Sequence, residues 1–217
     1  MTFLSSTLLF HSFLSGYDVK FQNLVSTWLL LMIIIIAVCF VVSEMTRNYS
    51  QVDKLWSLIP IAYGWITVSA FPSARIIIMT LLVTIWGLRL SYNFSRKGGY
   101  NIIPWKGEED YRWKHLRENR LLKGRLRFGL FNLLFISIYQ NIVIFLFSSP
   151  LLMAALNNDS SLIFTDILAA LLMLMFIITE TIADNQLFRF HQEKKKPGNS
   201  DNQYKMSVNN GFLSEGM

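Results

Sequence analysis

The sequence predicts an all-α protein, a polytopic transmembrane helix bundle with about five spans. Three observations predict it. Of the 217 residues, 53% are hydrophobic and only 16% are charged, where a soluble domain carries about 25% charged residues. The apolar residues gather in blocks, five of them long enough to cross a bilayer. The basic residues fall in alternate links between those blocks, as successive crossings require.

Residues 1–24 begin with about a dozen mostly apolar residues and no Lys or Arg ahead of them. That is not a secretory signal peptide, which has a basic start, and it is too short to span. A short interfacial helix is expected there. Spans are expected over about 25–42, 55–71, 76–92 and 128–147, the second ended by Pro72. Ser148, Ser149 and Pro150 then make a kink or stop, with a short apolar run after it. The fifth span begins at Ile163, and its helix runs on to the lysines Lys194, Lys195 and Lys196. The membrane bundle thus covers 25–185, with a basic loop at 94–127 and a tail at 186–217. The single cysteine, Cys39, lies inside the first span, so no disulfide can form within the chain.

The link between the third and fourth spans holds Arg96, Lys97, Lys106, Arg112, Lys114, Arg117, Arg120, Lys123, Arg125 and Arg127. Against these ten stand Glu108, Glu109, Asp110 and Glu118, a surplus of six that equals the +6 of the whole chain. Arg47, Lys54 and the basic tail fall on the same side, and only Lys20 and Arg75 on the other. The positive-inside rule then places the N-terminus outside or in a lumen, and the loop and C-terminus in the cytosol. The surplus does not point to nucleic acid. It suits either anionic lipid at the membrane surface or the phosphates of a bound ligand. Sequons occur at Asn48, Asn93 and Asn158. The first two face the cytosol and the third sits in a very short loop, so no glycan is expected. The sequence has no Gly-rich phosphate loop, no Cys/His metal cluster and no internal repeat.

Polar groups inside the spans are the candidate site. Glu180 and Asp184 lie four residues apart on the last span, one helical turn, so they share a side. Acids at that depth need a polar neighbour, and charge balance against Arg89 or the basic loop explains them as well as a ligand does. Arg89 and Tyr92 share one side of the third span, as a snorkelling cation with an interfacial anchor or as part of a site. Ser137, Tyr139, Gln140 and Asn141 cluster in the fourth span, as inter-helix hydrogen-bonding groups or as the wall of a polar interior. Asp53 stands where a helix N-terminus favours an acid.

Five pieces, in order, resemble the steroid 5α-reductase-like superfamily of membrane proteins, in its poorly characterised branch. They are S-Q-V-D-K-L-W at 50–56, W-G-L-R-L-S at 86–91, E-D-Y-R-W at 109–113, Gln140 ahead of Ser149-Pro150, and E-T-I-A-D-N-Q-L-F at 180–188. The resemblance implies a bundle of about seven helices around a cavity, in the endoplasmic reticulum membrane. It implies NADPH as cofactor and hydride transfer to an activated carbon–carbon double bond of a steroid or other lipid. The catalytic counterparts it offers are Tyr92 and Asp53. The cofactor-binding counterparts are Glu180, Asp184, Arg89 and Arg112.

The family continues with G-x-x-x-x-G-L-W-R-Y-x-R-H-P-N-Y-x-G-E, which supplies Arg, His, Asn and Tyr contacts to the cofactor. Gly211 to Met217 correspond to the start of that segment, so this form is expected to be a truncated product with impaired NADPH binding and no activity, paired with another membrane chain. Two other functions remain open: a relative of prenylcysteine-type lipid methyltransferases, which would bind S-adenosylmethionine instead, and a non-catalytic structural or regulatory membrane protein.

Overall fold

A computed structural model describes residues 16–103, 106–157 and 161–194. The expected interfacial helix of the first residues, Asn158, the last lysines and the segment from Gly211 lie outside the described residues. The chain forms two compact units, Met1–Leu162 and Ile163–Met217.

The regular elements among the described residues of the first unit are all helices. Helix α1 spans Val19–Thr46 and ends where Arg47 takes a left-handed backbone (φ 57°) and its N–H bonds the Ser43 carbonyl, an αL stop. Two short helices follow, α2 at Gln51–Leu55 and α3 at Ile59–Ala70. Ser73 caps α4, Ala74–Arg96, with its hydroxyl accepting from the Ile76 N–H. Asp110 caps α5, Tyr111–Glu118, by accepting from the Arg112 N–H. The next long helix begins as α6, Arg125–Phe131, widens to a π-helix over Asn132–Tyr139, and resumes as α7, Gln140–Ser148. Pro150 opens α8, Pro150–Leu156, a position where its missing N–H leaves no bond unmade. The second unit carries α9, Phe164–Lys194.

Among the described residues, four helical stretches are long and apolar enough to cross a membrane: Val19–Thr46, Ala74–Arg96, Arg125–Ser148 and Phe164–Gln192. The protein is a multi-pass membrane protein with lipid-facing apolar helices. The second expected span is not one continuous helix. A turn at 56–58 and Pro60 interrupt it, and the 12 residues of α3 reach only about 18 Å against a hydrocarbon core of ~30 Å. The segment nevertheless runs the length of its neighbours. Just before it, the Tyr49 N–H meets Glu109 of the linker that follows α4. At its far end, Phe71 lies under the Lys20 ammonium at the start of α1, 5.0 Å from ring centre to nitrogen. At that same end of α4, Arg75 bonds the Ser161 carbonyl. Alternate links thus gather at opposite ends of the unit, as the charge pattern requires.

The core is apolar and aromatic. Trp28 is fully buried and stacks on Tyr63, centroids 4.1 Å apart, with the edge of Phe145 against it at 5.8 Å. Helices α3 and α4 approach closely because Gly87 has no side chain: a Cβ there would come within 2.5 Å of the Ser57 carbonyl. Small residues at a helix contact are what packing in lipid uses in place of a hydrophobic driving force.

Candidate functional site

The linker after α4 folds back over α2, and backbone geometry makes the return tight. Gly107 adopts φ +127°, and any side chain on it would collide with the Gly99 carbonyl. From there the linker locks onto the start of the second crossing. Asn48 donates to the Gly107 carbonyl at 3.0 Å and the Tyr49 N–H to Glu109 at 3.0 Å. The Asp110 N–H donates to the Ser50 hydroxyl at 2.9 Å. Lys54 is buried and donates to the Lys106 carbonyl at 2.9 Å, while the Tyr100 hydroxyl donates to the Lys54 carbonyl at 2.7 Å. The Trp113 indole N–H donates to Asp53 Oδ2 at 2.8 Å.

This docking forms one wall of an open cavity of about 520 Å³, within the range of small-molecule sites. Its apolar and aromatic wall is Trp56, Leu90, Phe94, Phe135 and Trp113, and its polar groups include Asp53, Asn93, Lys97, Asp110, Arg112 and Gln140. Arg112 holds Asp110 with two bonds, Nε to Oδ1 at 3.0 Å and Nη2 to Oδ2 at 2.8 Å, and its guanidinium lies 5.4 Å from the Trp113 ring centre.

The two acids of the cavity are tuned in opposite directions. Burial pushes the Asp53 carboxyl above its ordinary range, only partly offset by hydrogen bonds from Trp113 and Ser50 and by the Arg112 charge. Hydrogen bonding to Arg112 holds Asp110 below its ordinary range. Lys54 is lowered by burial, against the opposing charge of Asp53.

Among the residues expected from the sequence, Asp53, Arg112 and Gln140 line the cavity. Tyr92 and Arg89 do not. Tyr92 is 63% exposed with the Arg96 guanidinium over its ring, and the α4 side that lines the cavity is Leu90, Asn93, Phe94 and Lys97. Glu180 and Asp184 lie on α9 in the second unit. In α7 and the π-helix, Asn141 bonds the Ser137 carbonyl at 2.8 Å and Tyr139 is exposed, so only Gln140 of that polar cluster reaches the cavity. Trp113, Asn93 and Lys97 are cavity residues that sequence reasoning did not assign. Their signal was the helical spacing 90, 93, 94, 97 and the Trp inside the E-D-Y-R-W piece.

Four of the five sequence pieces thus meet around one cavity: the S-Q-V-D-K-L-W and E-D-Y-R-W pieces face each other through Asp53 and Trp113, Leu90 belongs to the W-G-L-R-L-S piece, and Gln140 completes the wall. No solved structure matches the chain. An uncharacterized protein of Schizosaccharomyces pombe is 34% identical over 172 residues, which are 76% of this chain and 48% of that protein. The chain therefore spans about half the length of the curated relative it matches. The model of a family described as protein of unknown function, DUF1295, matches residues 39–213, a stretch that takes in every residue around the cavity as well as Glu180 and Asp184, and on that match the chain belongs to the DUF1295 family.

Proposed function

We propose that the protein is a membrane reductase of the steroid 5α-reductase-like kind, reducing an activated carbon–carbon double bond in a lipid with NADPH. The observation that carries this reading is geometric: a half-buried acid, fixed by the Trp113 indole, set among apolar walls in one cavity. Burial raises the Asp53 carboxyl above its ordinary range, and in its protonated form an acid at that place can donate to the oxygen of a developing enolate. The Trp113 N–H fixes Oδ2 and so orients the carboxyl. Trp56, Leu90, Phe94 and Phe135 suit a lipid skeleton.

The donor set fits a nucleotide cofactor in kind. Lys97 and Arg112 are cations for phosphate, and Trp113 and Trp56 are aromatic faces for a ring. When bound, NADPH would supply the hydride. Arg112 would exchange one of its two bonds to Asp110 for phosphate, and Asp110, which stays charged, would hold the guanidinium in place. Tyr92, pointing away from these groups, has no part in the proton transfer in this reading.

The test is reconstitution in lipid nanodiscs of this chain and, separately, of its longer Schizosaccharomyces pombe relative. Enone lipids would be added and loss of reduced nicotinamide followed. Enone-dependent oxidation of NADPH that falls at least about a hundredfold in Asp53→Asn, within the usual contribution of a general acid, supports the proposal. NADPH oxidation unaffected by Asp53→Asn, or methyl transfer from S-adenosylmethionine in its place, would overturn it.

A further inference from the structure

The segment 97–127 carries two sets of apolar side chains. Trp113 is part of the core of the first unit, and Leu116 and Leu122 pack against that core. Ile102, Tyr111, Leu121 and Leu126 form a second set that packing does not use, between 79% and 100% exposed. Exposed cations alternate with this second set: Lys114 after Tyr111, Arg120 and Lys123 on either side of Leu121, Arg125 and Arg127 on either side of Leu126. Two of the acids in the segment are spent internally, Asp110 on Arg112 and Glu109 on Arg117. The outward charge is therefore strongly positive.

The two ends of the segment are fixed at the same end of the unit, since α4 finishes at Arg96 and the span Arg125–Ser148 starts at its other side. Large apolar side chains are unfavourable in water, and cations are unfavourable in hydrocarbon. Exposed apolar side chains and cations interleaved along one segment, tethered at the ends of two spans, are satisfied where acyl chains give way to anionic headgroups. A nucleic acid or a free phosphate would leave the apolar set uncovered.

We propose that the outer face of 97–127 is a docking surface for anionic phospholipid. Tyr111, Leu121 and Leu126 enter the headgroup boundary and the interleaved cations meet the lipid phosphate and carboxylate groups. The interaction is independent of what the cavity binds.

Cys39 is the sole cysteine, so a Cys39→Ser background allows a single environment-sensitive fluorophore on Leu121→Cys, an exposed site. The chain is placed in nanodiscs of phosphatidylcholine alone and of phosphatidylcholine with phosphatidylserine. The expected result is blue-shifted emission in the anionic discs that fades as salt is raised. Lys123→Gln and Arg125→Gln should each reduce the inserted population by roughly fivefold in equilibrium constant. Trypsin cleavage of the unlabelled chain after Arg120 and Lys123 should likewise slow in anionic discs. Equal emission and equal cleavage in the two lipids would overturn the proposal. So would a shift that follows the number of chains per disc, which would mean that a second copy covers the surface.

Discussion

The middle of the first unit and its loop end are held together in different ways. In the middle, Trp28, Tyr63 and Phe145 stack and cross, while Trp28 Nε1, Thr80 Oγ1, Ser137 Oγ and Ser148 Oγ are buried with no hydrogen-bond partner. At the loop end, named donors meet named acceptors across 52 to 60 residues of sequence. The middle tolerates orphaned hydroxyls because shape and volume hold it. The loop end depends on each pair, since a buried donor or acceptor left alone loses more than the bond was worth. A substitution that conserves volume should therefore be mild in the middle and severe at the loop end.

The largest effect should come from emptying the middle. Trp28→Ala removes a fully buried side chain and should lower stability by about 3–5 kcal/mol, measured by thermal unfolding in detergent. Trp28→Phe should recover much of that loss, because no hydrogen bond goes with the indole N–H. If Trp28→Phe were as harmful as Trp28→Ala, shape would not be what holds the middle.

Trp113→Phe makes the same change at the loop end, where it should not be mild. It leaves Asp53 Oδ2 without its donor and should remove about 1–3 kcal/mol. A double-mutant cycle with Asp53→Asn should show coupling between the two positions. Additive losses would mean that the bond contributes little.

The two acids give a test in pH. Asp53 is raised above its ordinary 3.8 by burial, so the stability it contributes is fully present below pH 3.8 and is lost as pH rises through its folded value. Asp110 is lowered below 3.8 by its bonds to Arg112, so its contribution is present above pH 3.8 and is lost as pH falls through its folded value. Asp53→Asn should accordingly gain on the parent protein as pH rises above 3.8. Asp110→Asn should lose its disadvantage only as pH falls below 3.8. Chemical unfolding across that range would check both, and parallel curves for the two variants would contradict the assignment.

The smallest effect is expected of Ser57→Ala. It removes one hydroxyl contact, 2.8 Å to Ser91 across α3 and α4, and should cost about 0.5–1.5 kcal/mol by the same unfolding measurement. A larger loss would mean that this bond, and not the Gly87 approach, sets the spacing of those helices.

Much of the fold was legible because hydropathy and charge report it directly. The spans, the alternation of the links and the stop at Pro150 follow from runs of Ile and Leu and from the positions of Lys and Arg. The interruption at 56–60 was only half legible: Pro60 marks it, yet the apolar run continues through it. The π-helix over Asn132–Tyr139 has no residue that announces it, since Phe, Leu and Ile fill α- and π-turns alike. For the cavity, Asp53, Arg112 and Gln140 could be picked out by their motifs, while the side of α4 that lines it is not the side that carries Arg89 and Tyr92. Arg89 and Tyr92 drew attention by being polar or aromatic at i and i+3. Leu90, Asn93, Phe94 and Lys97 lie about 100° round the helix and face the cavity instead. Residue chemistry singles out a helix, and packing decides which of its sides lines a cavity.

The hydrogen bond between Asp53 and Trp113 joins residues 60 apart in the chain, and this sets an order of birth. Translation at about 5–20 residues per second brings Trp113 out roughly 3–12 s after Asp53. For that interval the nascent chain holds a carboxyl, a lysine and several backbone groups that have not yet met their partners, while α1 is already available for insertion. The cavity therefore cannot form until the linker after α4, and then Phe135 and Gln140, have emerged. A ribosome stalled between α4 and α5 would present an open polar end at the membrane surface, a feature by which insertion chaperones and proteases can tell an unfinished chain from a finished one.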